Sequence, residues 1–156
     1  MKKILIANVG STSYKYTVFE ISENGDCREL FRGGVERVSD YETAIAQSLS
    51  DLESRGFGRE SLDAVAFKTV LGKDVSGLRD ADEVVLKALE DMSYVAPAHN
   101  PPYASAIRAF GKVLPSARKV VLFEPHCNSA ILKTFFQILF DGNTAYLFRQ
   151  IGRAHV

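Results

Sequence analysis

Lys3 to Ala7 carries the short apolar run Ile4-Leu5-Ile6-Ala7, with β-branched isoleucines, the pattern of a buried strand. Turn-forming residues stop it at Asn8-Val9-Gly10-Ser11-Thr12-Ser13. From Tyr14 to Ile21 the pattern alternates, Tyr14, Tyr16 and Val18 against Lys15, Thr17 and Phe19, which predicts a second strand. Asn24-Gly25 follows as a strong hairpin signal. Cys27 to Val38 supplies a third strand, with an interruption expected at Gly33-Gly34. Up to Asp40 the chain therefore reads as a three-stranded antiparallel meander.

Beyond it the period changes. Ile45, Leu49 and Leu52 recur at i, i+4 and i+7, predicting a helix over Asp40 to Arg55, capped by Ser39 or Asp40 and ended by Gly56. Leu62 to Val70 reads as a buried strand. Asp80 to Met92 reads as a helix with Val84, Val85, Leu89 and Met92 on one side and acids in its first turn. A third helix is expected over Pro102 to Val113, opened by Pro101-Pro102 and stopped before Pro115. Lys119 to Phe123 is one more buried strand, ending at Glu124-Pro125. The order β-β-β-α-β-α-α-β predicts an α/β fold, a mixed sheet with helices packed against it.

At 156 residues and 46% hydrophobic, the chain has the size of one compact domain with a real core. Its 19 basic and 19 acidic residues cancel, which argues against a generic binder of nucleic acid or membrane surfaces. Cys27 and Cys127 match no zinc or redox spacing and read as reduced, structurally minor thiols. The apolar start stops at Asn8, too short for a secretory signal, and Phe135 to Phe140, broken by Gln137, falls short of a membrane span. A cytoplasmic location is expected.

Four places carry candidate chemistry. In Asn8-Val9-Gly10-Ser11-Thr12-Ser13-Tyr14-Lys15, Gly10 permits a tight turn and close ligand approach. Backbone N–H groups and the hydroxyls of Ser11, Thr12 and Ser13 can donate to phosphate oxygens, Lys15 adds charge, and Asn8 offers an amide oxygen to Mg²⁺ or its water. It is not the G-x-x-x-x-G-K-S/T loop, and from composition alone it is equally an ordinary polar hairpin turn. Ala96-Pro97-Ala98-His99-Asn100-Pro101-Pro102-Tyr103 holds His99 and Asn100 on a rigid turn before a helix N-terminus, which suits an anion or simply a cap. Glu124, leaving a buried strand, is placed as a metal ligand or base would be, or as a turn residue. Lys68 follows the strand Asp63–Phe67 and alternatively snorkels to solvent.

Taken in order, these segments resemble the acetate kinase family (acetate, propionate and butyrate kinases), on the acetate/propionate side. Asn8-x-Gly10-Ser11-Thr12-Ser13-x-Lys15 is similar to the family's N-x-G-S-S-S-x-K, Ala96-Pro97-Ala98-His99-Asn100-Pro101 to its L-A-P-L-H-N-P loop, and Phe123-Glu124 to its F-D. The resemblance covers residues 1–126. It implies the actin/hexokinase-like (ribonuclease H-like) duplicated fold, of which this is the first domain. It also implies transfer of the γ-phosphoryl of ATP, with Mg²⁺, to a short-chain carboxylate, and a homodimer for the full-length protein. By the same resemblance Asn8 serves Mg²⁺, Lys15, Gly10, Ser11, Thr12 and Ser13 the nucleotide phosphates, Val70 and Ala98 the small acetate pocket, and His99 the active-site histidine. Lys68 and Glu124 are the catalytic candidates.

The chain departs from the family pattern in three ways. Phe67-Lys68-Thr69-Val70-Leu71-Gly72 stands where the family has H-R-V-V-H-G, so a point charge replaces the bidentate fork that holds the carboxylate. Glu124 replaces an aspartate, and Ala98 a leucine, which widens the pocket and points to a divergent acceptor. His126-Cys127-Asn128-Ser129 does not continue the family's T-A-F-H-Q-T. Residues 127–149 therefore read as divergent, frameshifted sequence. A common sequencing adapter encodes Gln150-Ile151-Gly152-Arg153-Ala154-His155-Val156, so residues 150–156 are expected to be a tail of that origin. The expectation is an N-terminal fragment inactive by itself. The competing readings are a kinase of the same superfold acting on a hydroxyl, with Glu124 as general base, and a non-catalytic binding module.

Overall fold

The computed structural model describes residues 1–69 and 71–123. Val70, Glu124 and the segments 127–149 and 150–156 lie outside the described residues. Six strands form one sheet: β1 (Lys2–Val9), β2 (Ser13–Ile21), β3 (Cys27–Glu36), β4 (Ala64–Thr69), β5 (Gly77–Asp80) and β6 (Arg118–Phe123). The helices are α1 (Tyr41–Ser54), α2 (Glu83–Asp91) and α3 (Asn100–Val113), with a short 3₁₀ turn at Arg59–Ser61. The strand order is β3-β2-β1-β4-β6-β5. The meander β1-β2-β3 is antiparallel as its turns predict, while β4 runs parallel to both β1 and β6.

The period-two and period-3.6 patterns meet on one face of this sheet. Leu5, Ala7, Val9, Tyr14, Tyr16, Val18, Val65, Phe67 and Val121 turn toward the buried residues of all three helices and form one core. Its centre is aromatic: Phe110 of α3 meets Phe67 edge-on at 5.5 Å and Tyr14 at 6.1 Å, and Tyr14 stacks on Tyr16 at 5.4 Å. The opposite face carries a second, smaller apolar cluster of Ile4, Ile6, Ile21, Ala64, Ala66, Val120 and Leu122, to which no described helix contributes.

The caps explain the helix limits. Asp40 accepts a hydrogen bond from the Thr43 amide at 2.8 Å ahead of α1, and Gly56, at φ +85°, takes the left-handed turn that ends it. Pro101 and Pro102 stand in the first turn of α3, where a helix has no use for their missing N–H.

The structure differs from the sequence pattern at several points: β1 runs on through Asn8 and Val9, and α3 opens at Asn100 rather than Pro102. The second helix begins at Glu83, capped by Asp82, because Asp80 belongs to β5. That edge strand escaped the pattern, having four residues and a single apolar one, Leu78; its pairing to β6 defines it. Val84 is exposed, and the buried face of α2 is Val85, Leu86, Ala88 and Leu89. Gly33-Gly34 does not interrupt β3: Gly33 pairs with Tyr16, and a Cβ there would lie 2.6 Å from the Tyr16 hydroxyl. The missing side chain makes room for an aromatic ring inside a continuous strand.

Candidate active site

The second face of the sheet changes character along its strands. In register, Ile4 lies beside Phe19 and Ala64, and Ile6 beside Thr17 and Ala66. One step further along the same face, Asn8 of β1 pairs with Lys15 of β2, and Lys68 of β4 follows the last paired position, Ala7↔Phe67. An apolar face thus ends in a row Lys15–Asn8–Lys68 at the carboxyl ends of the parallel strands β1 and β4. Ligands of open α/β sheets characteristically bind outside those ends.

A cleft of about 440 Å³ opens there, lined by Asn8, Gly10, Ser13, Lys15, Lys68 and His99 together with Tyr103 and β1 backbone. Among the described residues two lysines and no carboxylate line it, so on a chain of zero net charge this described surface is locally cationic. Glu36 reaches Lys15 at 3.7 Å, but both side chains are largely exposed and such a pair holds weakly, leaving the ammonium free to meet an anion.

The β1–β2 turn is tight. The Gly10 amide donates to the Ser13 carbonyl at 2.7 Å, and a Cβ on Gly10 would come within 2.7 Å of Ser13 Oγ. Ser11 and Thr12 are exposed at its tip and do not line the cleft; the Thr12 carbonyl accepts from the Val38 amide at 2.9 Å. The loop before α3 splits its two polar residues. His99 is exposed, lines the cleft and makes no side-chain cap bond. Asn100 is fully buried inside the first turn, where Nδ2 donates to the Leu71 carbonyl at 2.8 Å and the Leu89 carbonyl at 3.0 Å. It ties α3 to the end of α2 and to the segment after β4. Ala98 is exposed ahead of the helix and lies outside the cleft lining. Tyr103, which sequence reasoning did not single out, lines the cleft from the first turn of α3.

Among the described residues no cluster of three or more His, Cys, Asp or Glu is placed to hold a metal, so these side chains build no resident cage. Mg²⁺ bound through substrate phosphates keeps several waters and needs only one or two protein oxygens. The exposed Asn8 amide in the middle of the row fits that lighter demand. Among the described residues no helix is long and apolar enough to cross a membrane.

A mixed sheet with a cationic cleft at the ends of its parallel strands makes this an α/β domain with a candidate anion site, and comparison with known proteins narrows the class. The family model described as the Acetokinase family matches residues 35–147, well over half of the chain. The chain belongs to that family. It is 30% identical over 150 residues to the acetate kinase of Macrococcus caseolyticus, covering 80% of this chain and 37% of the relative. It is 28% identical over 179 residues to that of Fervidobacterium nodosum, covering 96% and 43%. Among solved structures it is similar to Porphyromonas gingivalis acetate kinase, with a TM-score of 0.71 at 26% identity over 79% of this chain and 37% of that one. A propionate kinase from Francisella tularensis shares the fold, with a TM-score of 0.60 at 20% identity over 79% and 37%. The fold is therefore the actin/hexokinase-like one expected, and the chain spans about two fifths of the length of the curated relatives it matches.

Proposed function

We propose that these residues form the phosphate and carboxylate side of an ATP- and Mg²⁺-dependent kinase that phosphorylates a short-chain carboxylate, acetate or propionate, to the acyl phosphate. The observation that supports this reading is the row Lys15–Asn8–Lys68, set in one cleft with Ser13 and His99. Phosphoryl transfer asks a protein chiefly for positioning and charge stabilisation. Lys15 and the Gly10–Ser13 turn hold nucleotide phosphates, with the Ser11 and Thr12 hydroxyls at the tip turning in when phosphate is present. Lys68 supplies the charge that meets the acceptor carboxylate, as a point charge that fixes its orientation less tightly than a guanidinium. His99 faces the same space. In this reading Val70 borders the acceptor's alkyl group, whereas Ala98, exposed and outside the cleft lining, takes no part in the pocket. Mg²⁺, brought by the nucleotide and held through Asn8, neutralises charge on the phosphoryl oxygens. Glu124, which follows Phe123 of β6, assists the acceptor or the metal.

Because the chain spans about two fifths of its relatives, this reading expects it to bind Mg-ADP through the phosphates yet leave acetate unphosphorylated by itself. A homodimer and a cytoplasmic location are part of the same reading for the longer protein. Calorimetric titration of the chain with Mg-ADP tests it, with a loss of about tenfold or more in affinity expected for Lys15→Ala, the scale of one charge-assisted phosphate contact. A folded chain indifferent to millimolar Mg-ADP would falsify the phosphate assignment. Hydroxylamine trapping with acetate, propionate and butyrate then reports the acyl phosphate, and product from the chain alone would overturn the expectation of inactivity.

A further inference from the structure

The parallel pairing of β1 with β4 ends at Ala7↔Phe67, so the strand end that enters the phosphate turn runs beyond its ladder on that side. Two phenols from two helices stand there instead. The Val9 amide donates to the Tyr103 hydroxyl at 3.4 Å, and the Tyr41 hydroxyl donates to the Gly10 carbonyl. Tyr41 is the first residue of α1 and half-buried; Tyr103 sits in the first turn of α3 and is 4% exposed. The two bonds fall on consecutive residues at the mouth of the turn, one taking up an N–H and the other a C=O. Having accepted from Val9, the Tyr103 hydroxyl keeps a proton with no acceptor among the described residues, and Tyr103 lines the cleft.

We propose that Tyr41 and Tyr103 are positioning residues that clamp the Val9–Gly10 entrance of the anion-binding turn from α1 and α3, Tyr103 also offering its free proton to the bound anion. The inference rests on the phosphate reading above for the identity of the ligand, and on geometry alone for the clamp. The clamp converts the packing of two helices on the sheet into a fixed direction for the Gly10 carbonyl and, through the hairpin, for Ser13. Burial raises both phenols above their ordinary value, so both are protonated donors near neutral pH.

Tyr→Phe substitution keeps the rings packed and removes only the hydroxyls. Tyr41→Phe and Tyr103→Phe are compared with Tyr14→Phe, a control whose buried hydroxyl makes no hydrogen bond; the neighbouring Ser48 hydroxyl donates instead to the Ile45 carbonyl at 2.8 Å. The first readout is amide hydrogen exchange in the unliganded chain. Exchange at Val9, Gly10 and Ser13 is expected to quicken about fivefold in either clamp variant, the loss of one hydrogen bond, while Leu5 and Val65 keep wild-type rates. The second is affinity for magnesium pyrophosphate, expected to fall about three- to tenfold with the thermal midpoint moved no more than in Tyr14→Phe. Should Tyr103→Phe, the more buried variant, fail to fold, Tyr41→Phe carries both readouts. Unchanged exchange at the turn overturns the clamp whether or not the anion binds. Quickened exchange in the variants, alongside a wild-type chain that ignores pyrophosphate, supports the clamp and overturns the phosphate reading instead.

Discussion

Asn100 stands beside His99 in the sequence and shares its polarity, yet burial separates their work. With Nδ2 bridging the Leu71 and Leu89 carbonyls and no exposure at all, Asn100 joins three segments, while His99 faces the cleft. Asn100→Ala takes that donor from the Leu71 carbonyl, while the Leu89 carbonyl still accepts from the Met92 amide at 3.3 Å and the Ser93 hydroxyl at 3.2 Å. A loss of about 1–2 kcal/mol is expected in urea denaturation; a loss below about 0.5 kcal/mol would show that the bridge contributes little. Gly33 makes the complementary case, in which an absent side chain is the functional part. Its Cβ would collide with the Tyr16 ring and crowd Phe31, so Gly33→Ala is expected to destabilise by about 1–3 kcal/mol despite raising strand propensity. Cys27 completes the residue scale. Burial pushes its thiol up to about 11, so thiolate is scarce at pH 8 and labelling by a disulfide reagent should run well below the rate of a free thiol until the chain unfolds. These three roles differ in legibility. The inert thiol could be read from spacing, whereas the division between His99 and Asn100 depends on burial that no local pattern records.

At the scale of elements, the helices were legible because each carries its own stop and start chemistry. Asp40 before Ile45-Leu49-Leu52, and Pro101-Pro102 before α3, are local signals that tertiary packing reinforced. The strand β5 had no such signal; it exists because Leu78 and Asp80 pair with Leu122 and Val120 and because Asp80 meets Arg118 through two bonds at 2.7 and 3.0 Å. Sequence order hides a strand defined wholly by its partner. The same carboxylates give α1 and β5 a shared acid sensitivity. Asp40 is held below the usual carboxylate range chiefly by the Thr43 side chain and amide, and Asp80 chiefly by the Arg118 guanidinium. A group depressed by folding contributes stability above its unfolded value and loses it as pH falls through the lower folded one. The urea midpoint should therefore hold down to about pH 5 and then decline through and below pH 3.8 as both carboxylates take up protons. Asp40→Asn and Asp80→Asn should each flatten that decline, since an amide has no proton to bind; equal steepness in both variants would locate the acid sensitivity elsewhere. Asp82→Ala removes the cap of α2 without touching Asp40 or Asp80 and should cost about 1 kcal/mol at any pH above 5.

At the scale of the molecule, the site belongs to the winding of the sheet. The motif Asn8-x-Gly10-Ser11-Thr12-Ser13-x-Lys15 could be read from the chain, but its alignment with Lys68 could not. That alignment rests on a parallel pairing of β1 with β4 across some sixty residues, which no local pattern specifies. The pairing gathers positive charge at one end of a molecule whose charges cancel overall, and this has a measurable consequence. Charges at other faces are screened by salt beyond a Debye length of about 8–10 Å, and some are tied in pairs such as Lys112–Glu42 and Arg118–Asp80. Anion capture should therefore be governed chiefly by Lys15 and Lys68, not by a field of the whole protein. Affinity for magnesium pyrophosphate is expected to fall steadily as sodium chloride rises from about 0.05 to 0.5 M, the range over which the screening length shrinks to a few ångströms. Lys15→Ala and Lys68→Ala should each weaken binding and reduce the salt slope by about half, and the double variant should show almost no slope. Lys112→Ala, which removes an equal charge at another face, should leave the curve unmoved. If Lys112→Ala shifts it as far as Lys68→Ala does, the capture is a property of net charge, and the row at the sheet edge is not the seat of anion binding.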